Sequence, residues 1–413
     1  MSINNRRVVV TGMSGVTAFG NDWATIKQRM LQYQNAVVYV PEWEVYDGLQ
    51  SRLAAPVSDF KLPAHITKKQ SRSMGRVAQM AVVATEQALV DANLLNSDYL
   101  KAGNAGVSYG SCTGSTEPVR AFGTMLSEKH THAITAQTYI QMMPYTTAAN
   151  ISLYFGLQGR VIPSSTACTS GSQAIGYAYE AIKHGYQNIM IAGGAEELCP
   201  SEVAVFDTLF ATSQNNDNPE LTPRPFDAQR DGLVLGEGAG TFILEELEHA
   251  KQRGAKIYAE VVGFATNCDA THVTQPQFAT MQVCLEQALA QATISADQIG
   301  YVCLHGTATE RGDIAESRAT YNVFGHQPYV SSIKSYLGHT LGACGALESW
   351  FSIAMMNDGL FMPTINLEQR DERCADLNYI QQQAIECKTD YVMNNNFAFG
   401  GVNTSLIFKR YQN

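Results

Sequence analysis

Charged side chains are scarce: aspartate, glutamate, lysine and arginine make up only 16% of the 413 residues, against about 25% in an average soluble chain. A large share of the surface is therefore expected to be buried, as between subunits. Long apolar runs are missing too, since no stretch reaches the roughly 18 residues of a membrane span. The amino terminus runs into Val8-Val9-Val10 without the apolar core of a signal peptide, so a cytoplasmic chain with no membrane segment is expected. Basic residues are in deficit, 28 against 38 acids for a net charge of -10, which argues against coating nucleic acid or anionic lipid. Paired cysteines are also lacking. The nine present are odd in number, scattered and never spaced Cys-x-x-Cys, which argues against a disulfide framework and a zinc site.

What is present has an α/β rhythm. Short apolar runs near 7–12, 103–109, 188–194 and 256–263 end in or near glycine and alternate with helical stretches near 74–92, 172–185, 281–292 and 345–356. At about 150 residues per domain, the length allows two or three domains or one large α/β unit. Ser164-Ser165-Thr166 leads into a small-residue helix ending near Gly185, and Ser331-Ser332-Ile333 leads into another ending near Gly359. The echo points to two similar halves, 1–253 and 254–413, although such an echo also arises by chance in α/β chains.

Among the cysteines, Cys168 stands out, lying in Thr166-Ala167-Cys168-Thr169-Ser170-Gly171 between a strand and a helix. Free N–H groups and the helix dipole at that position favour a thiolate, predict a lowered pKa and suit a developing oxyanion. A nucleophilic cysteine wants histidine nearby. His305, in His305-Gly306-Thr307, and His339, in Gly338-His339, both sit in glycine-rich turns after strands. Lys334 follows the apolar Tyr329–Ile333 and needs a carboxylate, for which Glu348 is available. Asp313 and Glu316, three apart, read as turn caps and ion-pair partners rather than metal ligands, and no catalytic metal is expected.

These motifs resemble the elongating β-ketoacyl-acyl-carrier-protein synthases, thiolase-fold condensing enzymes of fatty-acid and polyketide synthesis. The likeness extends to Arg7-Val8-Val9-Val10-Thr11-Gly12, Arg224-Pro225-Phe226-Asp227, Gly236-Glu237-Gly238-Ala239-Gly240, Lys334 to His339, and Asn396-Phe397-Ala398-Phe399-Gly400-Gly401. It implies an α/β thiolase-like fold of two βαβαβαββ halves in five αβαβα layers. It also implies a homodimer, or a heterodimer with a related ketosynthase or chain-length factor. Carried over position by position, Cys168 is the nucleophile, His305 and His339 the catalytic histidines, and Lys334 with Glu348 their support. Phe399 is the gate whose N–H joins that of Cys168 in the oxyanion hole. Thr274, Thr307 and Thr309 would hold pantetheine, while Thr113 and Phe397 would wall the acyl pocket.

The resemblance implies no cofactor of the enzyme's own, because phosphopantetheine arrives on the acyl and malonyl carrier proteins. Such carriers are acidic. From Phe60 to Thr85 the sequence has five bases and no acid, so Lys68, Lys69, Arg72 and Arg76 are expected to dock the carrier, with 69, 72 and 76 on one face if the segment is helical. Thr113, Ala398 and Tyr336 depart from the fatty-acid pattern. Gly15-Val16-Thr17-Ala18-Phe19-Gly20 and Met74-Gly75-Arg76 resemble the ketosynthases of aryl polyene pathways. A non-catalytic chain-length factor, a degradative thiolase and an initiating Cys-His-Asn synthase are the competing readings. The first typically lacks the active cysteine, the second uses another catalytic cysteine, and His339 speaks against the third.

Overall fold

The computed structural model describes residues 6–412, so the leaderless reading of positions 1–5 lies outside the described residues. The first half contributes five strands to the main sheet: β1 (Val8–Val16), β2 (Ala105–Gly110), β3 (Val161–Ser164), β4 (Ile189–Glu196) and β5 (Gly238–Glu246). Their lateral order is β3-β2-β4-β5-β1. The second half contributes β6 (Ala259–Cys268), β7 (Tyr301–Cys303), β8 (Tyr329–Ser331), β9 (Tyr391–Phe397) and β10 (Val402–Arg410), in the order β8-β7-β9-β10-β6.

Pairing senses repeat as well. The second strand of each half runs parallel to the third and fourth, and the fourth, fifth and first are antiparallel neighbours. Val8 to Val10 pair with Val261 to Ala259 and join the halves. With the short edge strand Asn378–Tyr379, one eleven-stranded sheet results. The internal echo is therefore a repeat of topology.

Helices complete the layers. Helices α1 (Arg76–Asp91) and α2 (Thr146–Phe155) cover the outer face of the first half; α4 (Phe278–Ala292) and α5 (Glu310–Phe324) flank the second. Between the halves lie α3 (Ser170–Lys183) and α6 (Cys344–Asp358). Every residue from Cys344 to Met356 is buried, as suits a helix with apolar or small residues on all sides. No helix among the described residues is long and apolar enough to cross a membrane. One expectation fails: the basic segment before Arg76 forms turns, and α1 begins only at Arg76.

Candidate active site

The reactive side chains gather at the carboxyl ends of parallel strands, where α/β folds leave backbone groups and space for ligands. Cys168 lies between β3 and α3, His305 follows β7, Lys334 follows β8, and Asn396 is near the end of β9. The loop carrying His339 crosses close over the first half. A Cβ on Gly194 would meet the Gly342 carbonyl at 2.2 Å, so a larger residue in β4 would push this loop off. The His339 N–H and C=O bond to Val234 and Gly236 at 2.7 and 3.0 Å. Ala167, Ala308 and Leu341, beside these loops, adopt φ of 51°, 64° and 45°, left-handed conformations costing on the order of 1–3 kcal/mol each in non-glycine residues and often kept at functional sites.

A sulfur and two ring nitrogens converge: one atom each of Cys168, His305 and His339 lies within 4.8 Å of the others. His339 Nε2 is 3.0 Å from Cys168 Sγ. The Leu341 N–H donates to His339 Nδ1 at 3.3 Å, so Nδ1 is the acceptor and Nε2 carries the proton, aimed at the sulfur. The two imidazoles stand 5.2 Å apart and nearly perpendicular. Asn396 Nδ2 donates to Glu348 Oε2 at 2.7 Å and lies 3.4 Å from His305 Nδ1. Lys334 Nζ bonds Glu348 Oε1, and all these side chains are buried.

Electrostatics follow from burial around one cation. Burial lowers the Lys334 pKa, but the Glu348 carboxylate more than offsets this and keeps the ammonium charged. Burial, then the Lys334 charge, holds His305 and His339 well below the usual histidine range, and both are neutral at pH 7. The same ammonium opposes a divalent ion among these three ligand-type side chains. Burial pushes the Cys168 thiol up to about 11, outweighing Lys334 and the N–H groups of Phe399 and Cys168 that favour the thiolate. The lowered pKa expected from the helix terminus is thus corrected: those donors face the sulfur, yet desolvation wins.

Asp313 and Glu316 hold the His305 loop. Glu316 accepts the N–H of His305 at 2.6 Å and of Gly306 at 2.7 Å, and Asp313 accepts those of Thr307 at 3.0 Å and Phe226 at 2.7 Å. A cavity of about 540 Å³ reaches Cys168 and both histidines, with Thr274, Thr307, Thr309, Phe397 and Phe399 on its walls. The Thr307 and Thr309 hydroxyls are 2.9 Å apart, while Thr274 turns its N–H and hydroxyl toward His272 Nδ1.

Thr113 and Arg76 are placed other than expected. Thr113 does not line this cavity; its hydroxyl donates to Glu202 at 2.7 Å. Phe397 packs beside His305, ring centroids 6.2 Å apart, in the apolar cluster of the second half rather than the one around Cys168. Lys68, Lys69 and Arg72 are exposed and away from the cavity lining. Arg76 is not a free docking cation: it forks onto Glu237 at 2.8 and 2.7 Å and bonds the Val57 carbonyl. Sequence reasoning missed Asn396, Glu196 and Glu202. Asn396 had a signal, the run of three amides Asn394-Asn395-Asn396 near the end of an apolar strand.

Residues 5–250 match the beta-ketoacyl synthase N-terminal domain and residues 258–368 the beta-ketoacyl synthase C-terminal domain. The 3-oxoacyl-acyl-carrier-protein synthase 2 of Vibrio harveyi is 38% identical over 415 residues, 99% of each chain. A beta-ketoacyl synthase from Burkholderia phymatum STM815 superposes with a TM-score of 0.98 at 55% identity, over 98% of this chain and 100% of that one. A ketosynthase solved with its type II PKS acyl-carrier protein and bound to the hexaketide gives a TM-score of 0.87 at 30% identity, over 99% of this chain and 100% of the other.

Proposed function

The chain belongs to the β-ketoacyl synthase family, and we propose that it is an elongating 3-oxoacyl-acyl-carrier-protein synthase in which Cys168 holds the growing acyl group. The observation that carries this reading is the pair of neutral imidazoles, one with Nε2–H on the Cys168 sulfur, beside a buried Lys334–Glu348 pair.

In the first half-reaction the sulfur attacks an acyl thioester, and the N–H groups of Cys168 and Phe399 hold the oxyanion. Collapse expels the pantetheine sulfur, which takes up the proton that Cys168 gives up, so transfer is proton-neutral. In the second, a malonyl thioester loses carbon dioxide, and His305 and His339 donate Nε2–H to the enolate oxygen. Neutral imidazoles suit this step because the proton stays on the donor while charge develops. The enolate carbon attacks the acyl carbonyl, the carbon–sulfur bond to Cys168 breaks, and the freed sulfur is reprotonated. The product is a 3-oxoacyl thioester two carbons longer.

Thr307, Thr309 and Thr274 would bind the pantetheine arm, which the carrier protein brings, so the enzyme needs no cofactor of its own. Exposed Lys68, Lys69 and Arg72 offer an acidic carrier a complementary surface. A homodimer accounts for the low charge content and for β3, which ends the sheet with an unpaired edge and an exposed Val161.

Intact-protein mass spectrometry tests the reading. Acyl-carrier protein should leave an acyl adduct on the wild type but not on Cys168→Ala, and malonyl-carrier protein should discharge it into a product two carbons longer. No adduct from any acyl donor would instead favour a non-catalytic chain-length-factor role.

A further inference from the structure

Behind Cys168 the apolar surroundings give way to carboxyl groups that the mechanism does not use. The helix Pro200–Asp207 turns Val203 and Phe206 into the apolar cluster that contains Cys168, and Phe206 packs against Phe399 with ring centroids 5.1 Å apart and planes tilted by 40°. Glu202 is also buried on this helix, four residues before Phe206 and so on the same face, one turn of about 5.4 Å away. Cys112 bridges this region to the nucleophile: its thiol is in electrostatic reach of Glu196, Cys168 and Glu202, and its N–H donates to Glu196 at 2.6 Å.

The two carboxyls are unequally satisfied. Glu196 accepts the N–H groups of Cys112 and Gly342 and the Ser111 hydroxyl. Among the described residues Glu202 bonds the Thr113 hydroxyl through Oε1 at 2.7 Å, while its Oε2 is buried without a partner. Burial first, then the nearby Glu196 charge, raises the Glu202 pKa well above the carboxylate range, so the side chain is a neutral acid. Oε2 is thus a buried oxygen of a neutral carboxyl group, able to carry the acid proton and without a partner among the described residues. An unmade buried hydrogen bond is costly, and an apolar residue of similar size would pack there without that cost.

We propose that Glu202, supported by Thr113, is a specificity determinant that donates a hydrogen bond to an oxygen carried by the acyl chain away from its thioester. The substrate class is then acyl groups bearing a distal hydroxyl, ether or carbonyl, in preference to plain hydrocarbon chains. This rests on Cys168 being the acyl carrier, with the bound chain running from the cavity past Phe206, which lines it, toward Glu202 one helical turn away.

The test compares full-length wild type, Glu202→Leu and Glu202→Gln on acyl-carrier proteins of matched length, with and without a terminal hydroxyl, over a series of lengths. In the wild type, kcat/KM should favour the hydroxylated member by about tenfold or more at one length, because a site built to bond an oxygen rejects the analogue lacking it. Glu202→Leu should reverse the preference, and Glu202→Gln, which retains an N–H donor, should fall between. An unchanged ratio in Glu202→Leu and Glu202→Gln with elongation intact would overturn the specificity role and leave the condensing mechanism standing. Failure of the wild type to elongate any member would count against the mechanism itself.

Discussion

In the first half of the molecule the third strand, β3, hands the chain to α3 through Cys168, and the side chains around the sulfur are largely apolar. The matching strand of the second half, β8, leads to α6 through Lys334, His339 and Cys344, and there the neighbours form a polar network. The ends of the fourth strands correspond as well. Glu196 closes β4 and accepts the N–H of Cys112 from the loop after β2; Asn396, near the end of β9, meets His305 from the loop after β7. One frame thus serves twice, and side chains alone make one copy a nucleophile's seat and the other a source of hydrogen-bond donors. Next to the reactive groups the two copies treat buried charge differently: Lys334 is paired with Glu348, whereas Glu202 has no cation beside it and is forced neutral.

The largest expected effect separates the halves by reaction step. His305→Ala should still form the acyl adduct on Cys168, since the Phe399 and Cys168 N–H groups and His339 remain, but should lose condensation by about 10²–10³-fold, the usual cost of one oxyanion donor. Cys168→Ala should do the reverse, making no adduct while still releasing carbon dioxide from malonyl-carrier protein. Single-turnover acylation and radiolabelled carbon dioxide release measure the two steps. Equal loss of both steps in each variant would mean that the halves do not divide the chemistry.

A smaller effect probes the field that crosses between halves. The Lys334 ammonium lowers the Cys168 pKa, so its removal must raise it; the wild-type alkylation rate should climb through about 11, and Lys334→Met should shift that rise upward. Because Lys334→Met strands a buried Glu348, it should also cost about 3–5 kcal/mol of stability. Lys334→Met combined with Glu348→Gln should restore part of that stability while leaving the alkylation profile raised. An iodoacetamide profile with the same midpoint in wild type and Lys334→Met would remove Lys334 from the account of the thiol.

Where local pattern and local chemistry coincide, the site was legible without coordinates. Cys168, His305, His339 and Lys334 each sit in a short polar or glycine-rich turn after an apolar strand, and Glu348 is the carboxylate on the next helix. The α/β alternation placed β1, β2, β4 and β6 and helices α1, α3, α4 and α6 to within a few residues, with β1 and β6 running beyond their apolar runs, but gave no range for β5, β9, β10, α2 or α5. Features set by distant partners stayed hidden. Arg76 reads as one more base in a basic run because Glu237, 161 residues away, supplies its partner only in the fold. Glu202 on a short helix looks like any surface acid, and the raised Cys168 pKa depends on a burial that no neighbouring residue encodes.

The smallest expected effect sharpens the contrast inside the first half's basic segment. Arg72 is exposed, while four residues on Arg76 is locked to Glu237, so the two cations should fail differently. If the exposed face docks an acidic carrier, Arg72→Glu should raise the apparent KM for carrier substrates by about two- to fivefold at low salt, the scale of a surface charge contact. The increase should fade as ionic strength rises, with kcat and melting temperature unchanged. Arg76→Ala should lower the melting temperature, because it leaves the nearly buried Glu237 carboxylate without its cation, and should leave the KM of the folded enzyme near wild type. A salt-sensitive KM change in Arg76→Ala but none in Arg72→Glu would move carrier docking away from the exposed turn, and identical behaviour would show that position in the segment does not separate a docking charge from a structural one.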